Sequence, residues 1–413
     1  MKIAMFSWET LHSVAVGGVA AHVSELSAAL ERRGHEVHVF TRHCPGKSFY
    51  DRIDGVHYHR CEYAPHPDFV DGVNNMCTAM VNRFFIVEDM TGRFDVVHAH
   101  DWLTANALIW IKQGRDDKYS VFTIHSTEYA RCGNAFPPGS SHRVRDQERA
   151  GTYWADKVVA VSHTTRREIE WMYEVPSWKT EVIYNGVSPD RFDLDVDVNE
   201  IRRQYDIGPL DPTVLFCGRL EWQKGPDILM ESLPHITSRF ANAKFIFAGE
   251  GGMRQPIEDR ARHLGVWDSV RFLGYRNGSE LPRIFKMSDC VCVPSRNEPF
   301  GIVVLEAWSS GKPVVVTQVG GPSEYVEHEY TGLKIHPNPD SVTWGMNTLF
   351  SNFDHARWMG DNGKQAVHRE FTWDIIARRM LGAYGVPENT RTEPTPVPVR
   401  RTKNQTVEER QTA

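Results

Sequence analysis

The sequence predicts two open α/β domains, each a doubly wound, Rossmann-like sheet, facing each other across a cleft. Three observations carry this. Short apolar runs alternate with amphipathic stretches from the first residues onward. The alternation pauses in a charged stretch at residues 188–210 and then restarts. The 413 residues exceed one ordinary domain and suit two, each able to bury its own core.

In chain order, Ile3-Ala4-Met5-Phe6 reads as the first strand, followed by a glycine turn at Gly17-Gly18. A helix over about residues 20–33 comes next, with Val23, Leu26, Ala29 and Leu30 on one face. Gly34 stops it, and Val37-His38-Val39-Phe40 is the next strand. Asp95-Val96-Val97-His98-Ala99-His100, Ser120-Val121-Phe122-Thr123-Ile124-His125 and Lys157-Val158-Val159-Ala160-Val161 continue the sheet, giving a first domain over residues 1–187. The pause at 188–210 is read as a linker. The second domain, 211–370, takes strands from Thr213-Val214-Leu215-Phe216-Cys217, Lys244-Phe245-Ile246-Phe247-Ala248, Val270-Arg271-Phe272-Leu273, Cys290-Val291-Cys292-Val293 and Pro313-Val314-Val315-Val316-Thr317. A last helix is expected at about residues 374–384. Residues 386–413, rich in Pro, Thr and charge, are expected to be disordered.

Composition narrows the function. A net charge of -6 gives no footprint for a polyanion, so no nucleic-acid partner is expected. No stretch approaches the ~20 apolar residues of a membrane span, and no membrane association is expected. Ser7, Trp8 and Glu9 end the first apolar run too early for a signal peptide, which points to the cytoplasm. Seven scattered cysteines without a Cys-x-x-Cys read as reduced thiols.

The most informative segment is Pro294-Ser295-Arg296-Asn297-Glu298-Pro299-Phe300-Gly301-Ile302-Val303-Val304-Leu305-Glu306. Pro299 biases Glu298 toward extended backbone, and a helix is expected to begin near Phe300. Its first-turn N–H groups suit an anion, Gly301 permits close ligand approach, and Glu306, about two turns in, suits a ribose diol. Arg219 and Lys224, in Gly218-Arg219-Leu220-Glu221-Trp222-Gln223-Lys224-Gly225, are two cations between glycines that permit tight turns. Gly17 and Gly18 can present N–H groups to phosphate, but the third glycine of a dinucleotide fingerprint is missing. Gly249 and Glu250 form a turn after a strand. Asp101 reads as a helix N-cap for the segment starting at Trp102. The Asp193, Asp195, Asp197 series has the spacing of a divalent-metal motif, yet its place in the linker favours a solvated charge run. His57 with His59, and His98 with His100, each put two imidazoles on one strand face; lacking a third ligand by spacing, they are not read as zinc sites.

Glu298 and Glu306 around Pro299-Phe300-Gly301, followed by Gly311-Lys312-Pro313-Val314-Val315, closely resemble retaining glycosyltransferases of the GT-B fold. The match is best to family four, close to the bacterial and archaeal glycogen (starch) synthases of family five. The Gly218-to-Gly225 segment is similar to that family's phosphate-binding turn. Asn185-Gly186-Val187 with Phe192 is similar to its linker motif, with Ser188 in place of an Asp. The resemblance covers roughly residues 2–385.

The resemblance implies transfer of a sugar, glucose foremost, with retention, from an ADP- or UDP-sugar to a carbohydrate or other small acceptor. The nucleoside diphosphate sugar is a co-substrate, with no further cofactor and no metal. It casts His125 beside the donor sugar, Asp101 on the acceptor side and Glu298 on the donor hydroxyls. Arg219 and Lys224 hold the diphosphate; Gly17, Gly18, Gly249, Glu250, Phe300, Gly301, Ile302 and Glu306 line the nucleotide sugar. Glu128 and Tyr129 are weaker acceptor-side candidates, and a helix over 371–385 returns to the first domain. An α-glucan acceptor fits the synthases. They, however, carry a lysine before the first glycine turn, where this chain has Ala15-Val16-Gly17-Gly18-Val19, and His22 is more typical of family four. A small glycoside, disaccharide or glycolipid is therefore the alternative product. A sugar-nucleotide epimerase of the same fold and a non-enzymatic nucleotide-binding protein are the competing classes.

Overall fold

The computed structural model describes residues 1–115 and 117–387; the tail expected to be disordered lies outside the described residues from position 388 onward. The first sheet contains β1 (Lys2–Ser7), β2 (Glu36–Arg42), β3 (Tyr50–Ile53), β4 (Val56–Cys61), β5 (Val96–His100), β6 (Tyr119–Ile124), β7 (Lys157–Ala160) and β8 (Thr180–Val182). Its order is β3-β4-β2-β1-β5-β6-β7-β8, and every neighbouring pair is parallel except β3 with β4. That edge hairpin turns through Asp54 and Gly55, whose φ values of 51° and 82° match the two left-handed positions of a tight hairpin.

Alternation along β1 explains the layering. Ile3 and Met5 face a core shared with Val23 and Leu26 of the helix Gly18–Arg32 and Ile376 and Met380 of the helix Trp373–Ala383. Ala4 and Phe6 face Phe84 and Leu108 of the helices Phe69–Thr91 and Trp102–Gly114. A strand with helices on both faces has no water-facing side, so it is apolar throughout.

The second sheet contains β9 (Thr213–Cys217), β10 (Lys244–Ala248), β11 (Val270–Gly274), β12 (Cys290–Val293), β13 (Val314–Thr317) and β14 (Gly332–Ile335). All its pairs are parallel, in the order β11-β10-β9-β12-β13-β14. Here Val214 and Phe216 face one core and Leu215 the other.

The stretch read as a linker is largely part of this second body. It holds a helix, Val198–Arg203, whose Ile201 is buried together with Phe192 and Ile207. Arg202 is buried too, because its guanidinium donates to Met287 O at 2.9 Å and to both Asp289 oxygens at 3.0 Å. A buried arginine with every donor satisfied looks like solvated charge in the sequence, and this masked the packing. Asp193 pairs with Lys286 and Lys364, and Asp197 caps the helix through its carboxylate.

The chain crosses between bodies twice, and the crossings touch: Val187 N donates to Phe371 O at 2.8 Å. A Cβ on Gly186 would stand 2.7 Å from the Trp373 ring, so only glycine fits there. Arg32 pairs with Asp374 at 2.9 Å, fastening the helix Trp373–Ala383 to the first body. Among the described residues, no helix is long and apolar enough to cross a membrane.

Candidate active site

In each sheet the chain reverses its winding direction beside a central strand, and the candidate residues follow the carboxyl ends of the strands there. In the second sheet the neighbours are β9 and β12. The loop after β9 carries Lys224, and the loop after β12 carries Glu298. Lys224 Nζ donates to both Glu298 oxygens at 2.8 Å, and Ser295 Oγ donates to Oε2 at 2.9 Å. Glu298 is 5% exposed. Lys224 is thus already an ion-pair partner, not the unengaged cation the sequence implied. Arg219 is exposed and has no ion-pair partner among the described residues.

Two glycines fix the loop that holds Glu298. Gly321 N donates to Glu298 O at 2.8 Å, and a Cβ on Gly320 (φ 66°) would sit 2.0 Å from that oxygen. Gly249 lies against Gly218 O, while Leu220 N donates to Glu250 O at 2.8 Å, so the turns after β9 and β10 are joined. The Glu250 carboxylate points outward and pairs with Arg254.

The helix after Glu298 is Ile302–Ser309, two residues later than expected, because Gly301 (φ 85°, ψ 59°) is its left-handed cap and Phe300 is buried. Tyr325 Oη donates to Phe300 O at 2.7 Å and Gly301 O at 3.1 Å. Glu306 consequently lies little more than one turn into the helix, not two. Burial raises its carboxyl to about 7, against the opposing charge of Arg191.

In the first sheet the winding reverses between β1 and β5. Asp101, directly after β5, has φ 56° and ψ 173°, a costly backbone for a non-glycine residue. It is held there by Asp101 N donating to Thr123 O at 2.8 Å and His125 N donating to Asp101 Oδ1 at 2.7 Å. Asp101 occupies the N-cap position of the helix Trp102–Gly114, yet its side chain makes no cap bond. It ties β5 to β6 instead. Burial raises its carboxyl to about 6, although Arg131 and the His125 and Ser126 N–H groups pull the other way.

Glu128 is engaged with Arg131, which also bonds Glu148 at 2.6 Å. Tyr129 packs edge-on against Trp171 and beside Phe136.

His125 Nε2 lies 3.2 Å from His100 Nδ1, and its ring centroid is 4.5 Å from that of His22. His22 Nδ1 is 2.8 Å from Asn185 Oδ1. His98 is spanned by Tyr384 Oη at 2.8 Å and Thr123 Oγ1 at 2.7 Å. Burial lowers all four imidazoles, His125 to about 3, so they are neutral at physiological pH. The third imidazole that spacing did not supply beside the His98–His100 strand therefore comes from the fold.

The glycine turn differs from expectation in one respect. Glu9 Oε2 accepts from Val16 N at 2.6 Å and Gly17 N at 2.8 Å, so these N–H groups are engaged by the protein itself. Gly18 opens the helix Gly18–Arg32 and faces the second body: a Cβ there would lie 3.1 Å from Ile302 Cδ1. Two helix N-termini, one from each body, thus meet across the cleft, an arrangement suited to anionic groups. Glu324 joins the bodies further along, accepting from His163 N at 2.9 Å and Thr164 N at 2.7 Å.

The fold therefore brings Lys224 together with Glu298, His125 with Asp101, and Gly18 with Ile302. Sequence reading missed Glu9, Ser295, Asn185, His100 and the Gly320-Gly321 clamp as members of the site. The one local signal is Gly320-Gly321 after an apolar strand, a repeat of the turns at Gly17-Gly18 and Gly249-Glu250.

Comparison with known proteins identifies the family. Residues 197–366 match the family described as glycosyl transferases group 1, and residues 16–191 match glycosyltransferase family 4. An uncharacterized glycosyltransferase of Methanocaldococcus jannaschii is 37% identical over 392 residues, which cover 94% of this chain and 98% of that one. Glycogen synthase of Mycobacterium tuberculosis is 28% identical over 414 residues, covering 96% and 97%. Sucrose-phosphate synthase from Thermosynechococcus elongatus has the same fold, with a TM-score of 0.79 at 23% identity over 93% of this chain and 98% of that one. With both halves matched in order and a relative aligned along nearly its whole length, the chain belongs to the group 1 glycosyltransferases, of GT-B fold.

Proposed function

We propose that this glycosyltransferase moves glucose from an ADP- or UDP-sugar to an α-glucan in the cytoplasm, with retention at the anomeric carbon and without a metal. The observation that carries the reading is the buried Glu298 carboxylate, fixed in the cleft by Lys224 and Ser295 beside a helix N-terminus. A retaining hydrolase needs two carboxylates about 5 Å apart, one of them a nucleophile. Glu298 is instead paired with a cation and a hydroxyl, which suits a ligand of donor hydroxyls. An ammonium has three N–H donors; Lys224 uses two on Glu298 and keeps one for the diphosphate. Arg219 and the N–H groups opening the helix Ile302–Ser309 supply the remaining positive potential.

On this reading the leaving phosphate accepts the acceptor's proton on the same face. The protein contributes position and electrostatics rather than a covalent intermediate. Neutral His125 can donate to or accept from a sugar hydroxyl without adding charge at the reacting centre. The glycogen synthase relative supports the α-glucan. Ala15 in place of the synthases' lysine, with His22 on the first helix, favours a second reading: a small glycoside, disaccharide or glycolipid as product.

The test is release of UDP, ADP or GDP from a panel of sugar nucleotides, measured with α-glucan, with small sugars and with no acceptor. Acceptor-dependent release with α-glucan is expected. Release with small sugars alone selects the second reading, and release that ignores every acceptor contradicts both.

A further inference from the structure

Beneath the first-domain half of the cleft, one ring nitrogen from each of His22, His100 and His125 lies within 4.8 Å of the other two. His22 comes from the helix Gly18–Arg32, His100 ends β5 and His125 follows the neighbouring β6. The transfer chemistry uses one of these three rings.

Three features single out this cluster. His22 Nε2 is buried with no hydrogen-bond partner among the described residues, and interiors rarely leave polar atoms so. The rings are not stacked in parallel as a set: His22 stands at 79° to His125 and 65° to His100, across the pair of His100 and His125, which lie at 26° to each other. The other histidine cluster, Glu36 with His38 and His57, fails here, because its rings stack at 10° and parallel planes cannot share one in-plane ion. Finally, Asn185 Oδ1 accepts from His22 Nδ1 at 2.8 Å, the outer hydrogen bond that fixes the tautomer of a metal-binding imidazole and bares the opposite nitrogen.

We propose that His22, His100 and His125 bind one first-row transition ion, Zn²⁺ foremost, leaving a fourth position for water or an anionic group. The 3.2 Å between His100 Nδ1 and His125 Nε2 is close to the roughly 3.3 Å expected across a tetrahedral ion with zinc–nitrogen bonds of about 2.0–2.1 Å. An ion there takes the His125 ring away from the donor sugar, so it acts as a reversible inhibitor. This inhibitory half rests on the transferase reading above; the binding half does not.

The test uses the full chain, stripped of metal and titrated with Co²⁺, whose visible d–d bands report four-coordinate nitrogen sites. One equivalent should give the bands, and Zn²⁺ should displace it. His22→Gln and His100→Gln, shown folded by circular dichroism, should lose the bands, while His57→Gln keeps them. Absence of bands, or their survival in both triad variants, overturns the site. X-ray absorption of the wild-type zinc complex gives a variant-independent check: three imidazole ligands are expected, and fewer refute the assignment. Zn²⁺ should also stop sugar transfer, and a chelator should restore it. Unchanged transfer with the ion demonstrably bound overturns the inhibitory half alone.

Discussion

Replacing Lys224 with alanine separates the structural from the chemical role of the Lys224–Glu298 pair. Lys224 Nζ donates to both Glu298 oxygens at 2.8 Å, so the variant leaves Ser295 Oγ as the carboxylate's remaining side-chain donor. Removing one partner of a buried ion pair costs about 3–5 kcal/mol. The Lys224 side chain is 22% exposed, so water reaches the vacated side and the cost falls at the low end, about 3 kcal/mol. For a domain of this size that is a fall in melting midpoint of roughly 6–12 °C. Adding Glu298→Gln removes the orphaned charge, and the loss should shrink to about 1 kcal/mol, the size of an ordinary lost hydrogen bond. Scanning calorimetry on the wild type, both single variants and the double variant closes the cycle. Initial rates from the same samples should show a loss of about 10²–10³-fold in Lys224→Ala that the double variant does not recover. A wild-type midpoint in Lys224→Ala, or a double variant as unstable as the sum of the singles, refutes the pairing argument.

Other consequences follow from the same geometry. Glu298→Gln should lower turnover far more than donor affinity, because its charge is proposed to act on the sugar at the transition state; near-normal kcat contradicts that role. Gly18→Val should leave the midpoint close to wild type yet weaken donor use by an overpacking cost of about 1–3 kcal/mol, since even a Cβ would lie 3.1 Å from Ile302 Cδ1. Unchanged kcat/KM in that variant shows that the two helix ends do not need to approach. Asp101 binds its proton more tightly in the folded chain than in the unfolded one, its carboxyl rising from 3.8 to about 6. The stability this confers is complete below the unfolded value and is lost as pH rises through about 6. Asp101→Asn should therefore gain on the wild type by about 2 kcal/mol between pH 4 and pH 7, and a pH-independent difference in denaturant midpoints argues against it.

What the sequence revealed and what it hid divide along physical lines. Strand runs such as Val214-Leu215-Phe216 and Val314-Val315-Val316 announced themselves, because strands covered on both faces must be apolar throughout. Glu298 and Glu306 were visible because a strand–loop–helix unit keeps its residues in one short segment. The partners of those residues were not visible. Lys224 meets Glu298 only because β9 and β12 are neighbours, and His22 meets His100 and His125 only because the first turns of its helix lie beside the carboxyl ends of β5 and β6. No local pattern encodes strand order. Glu9 was overlooked for a different reason: a carboxylate that satisfies its own glycine turn looks like any charge ending a strand. Arg202 misled in the same way, since a fully paired buried guanidinium is indistinguishable from a solvated one until its acceptors are known.

The proposed reaction is retaining transfer of a sugar from a nucleotide donor by a site assembled from both bodies. Its most direct test is proton NMR of the reaction in progress, with α-linked ADP-glucose or UDP-glucose and the acceptor that supports nucleotide release. The coupling at the new anomeric centre reports its configuration before any equilibration. The account predicts an α-linked product from the wild type and none from Glu298→Gln at matched concentration. A β-linked product, or equal product from the variant, contradicts it.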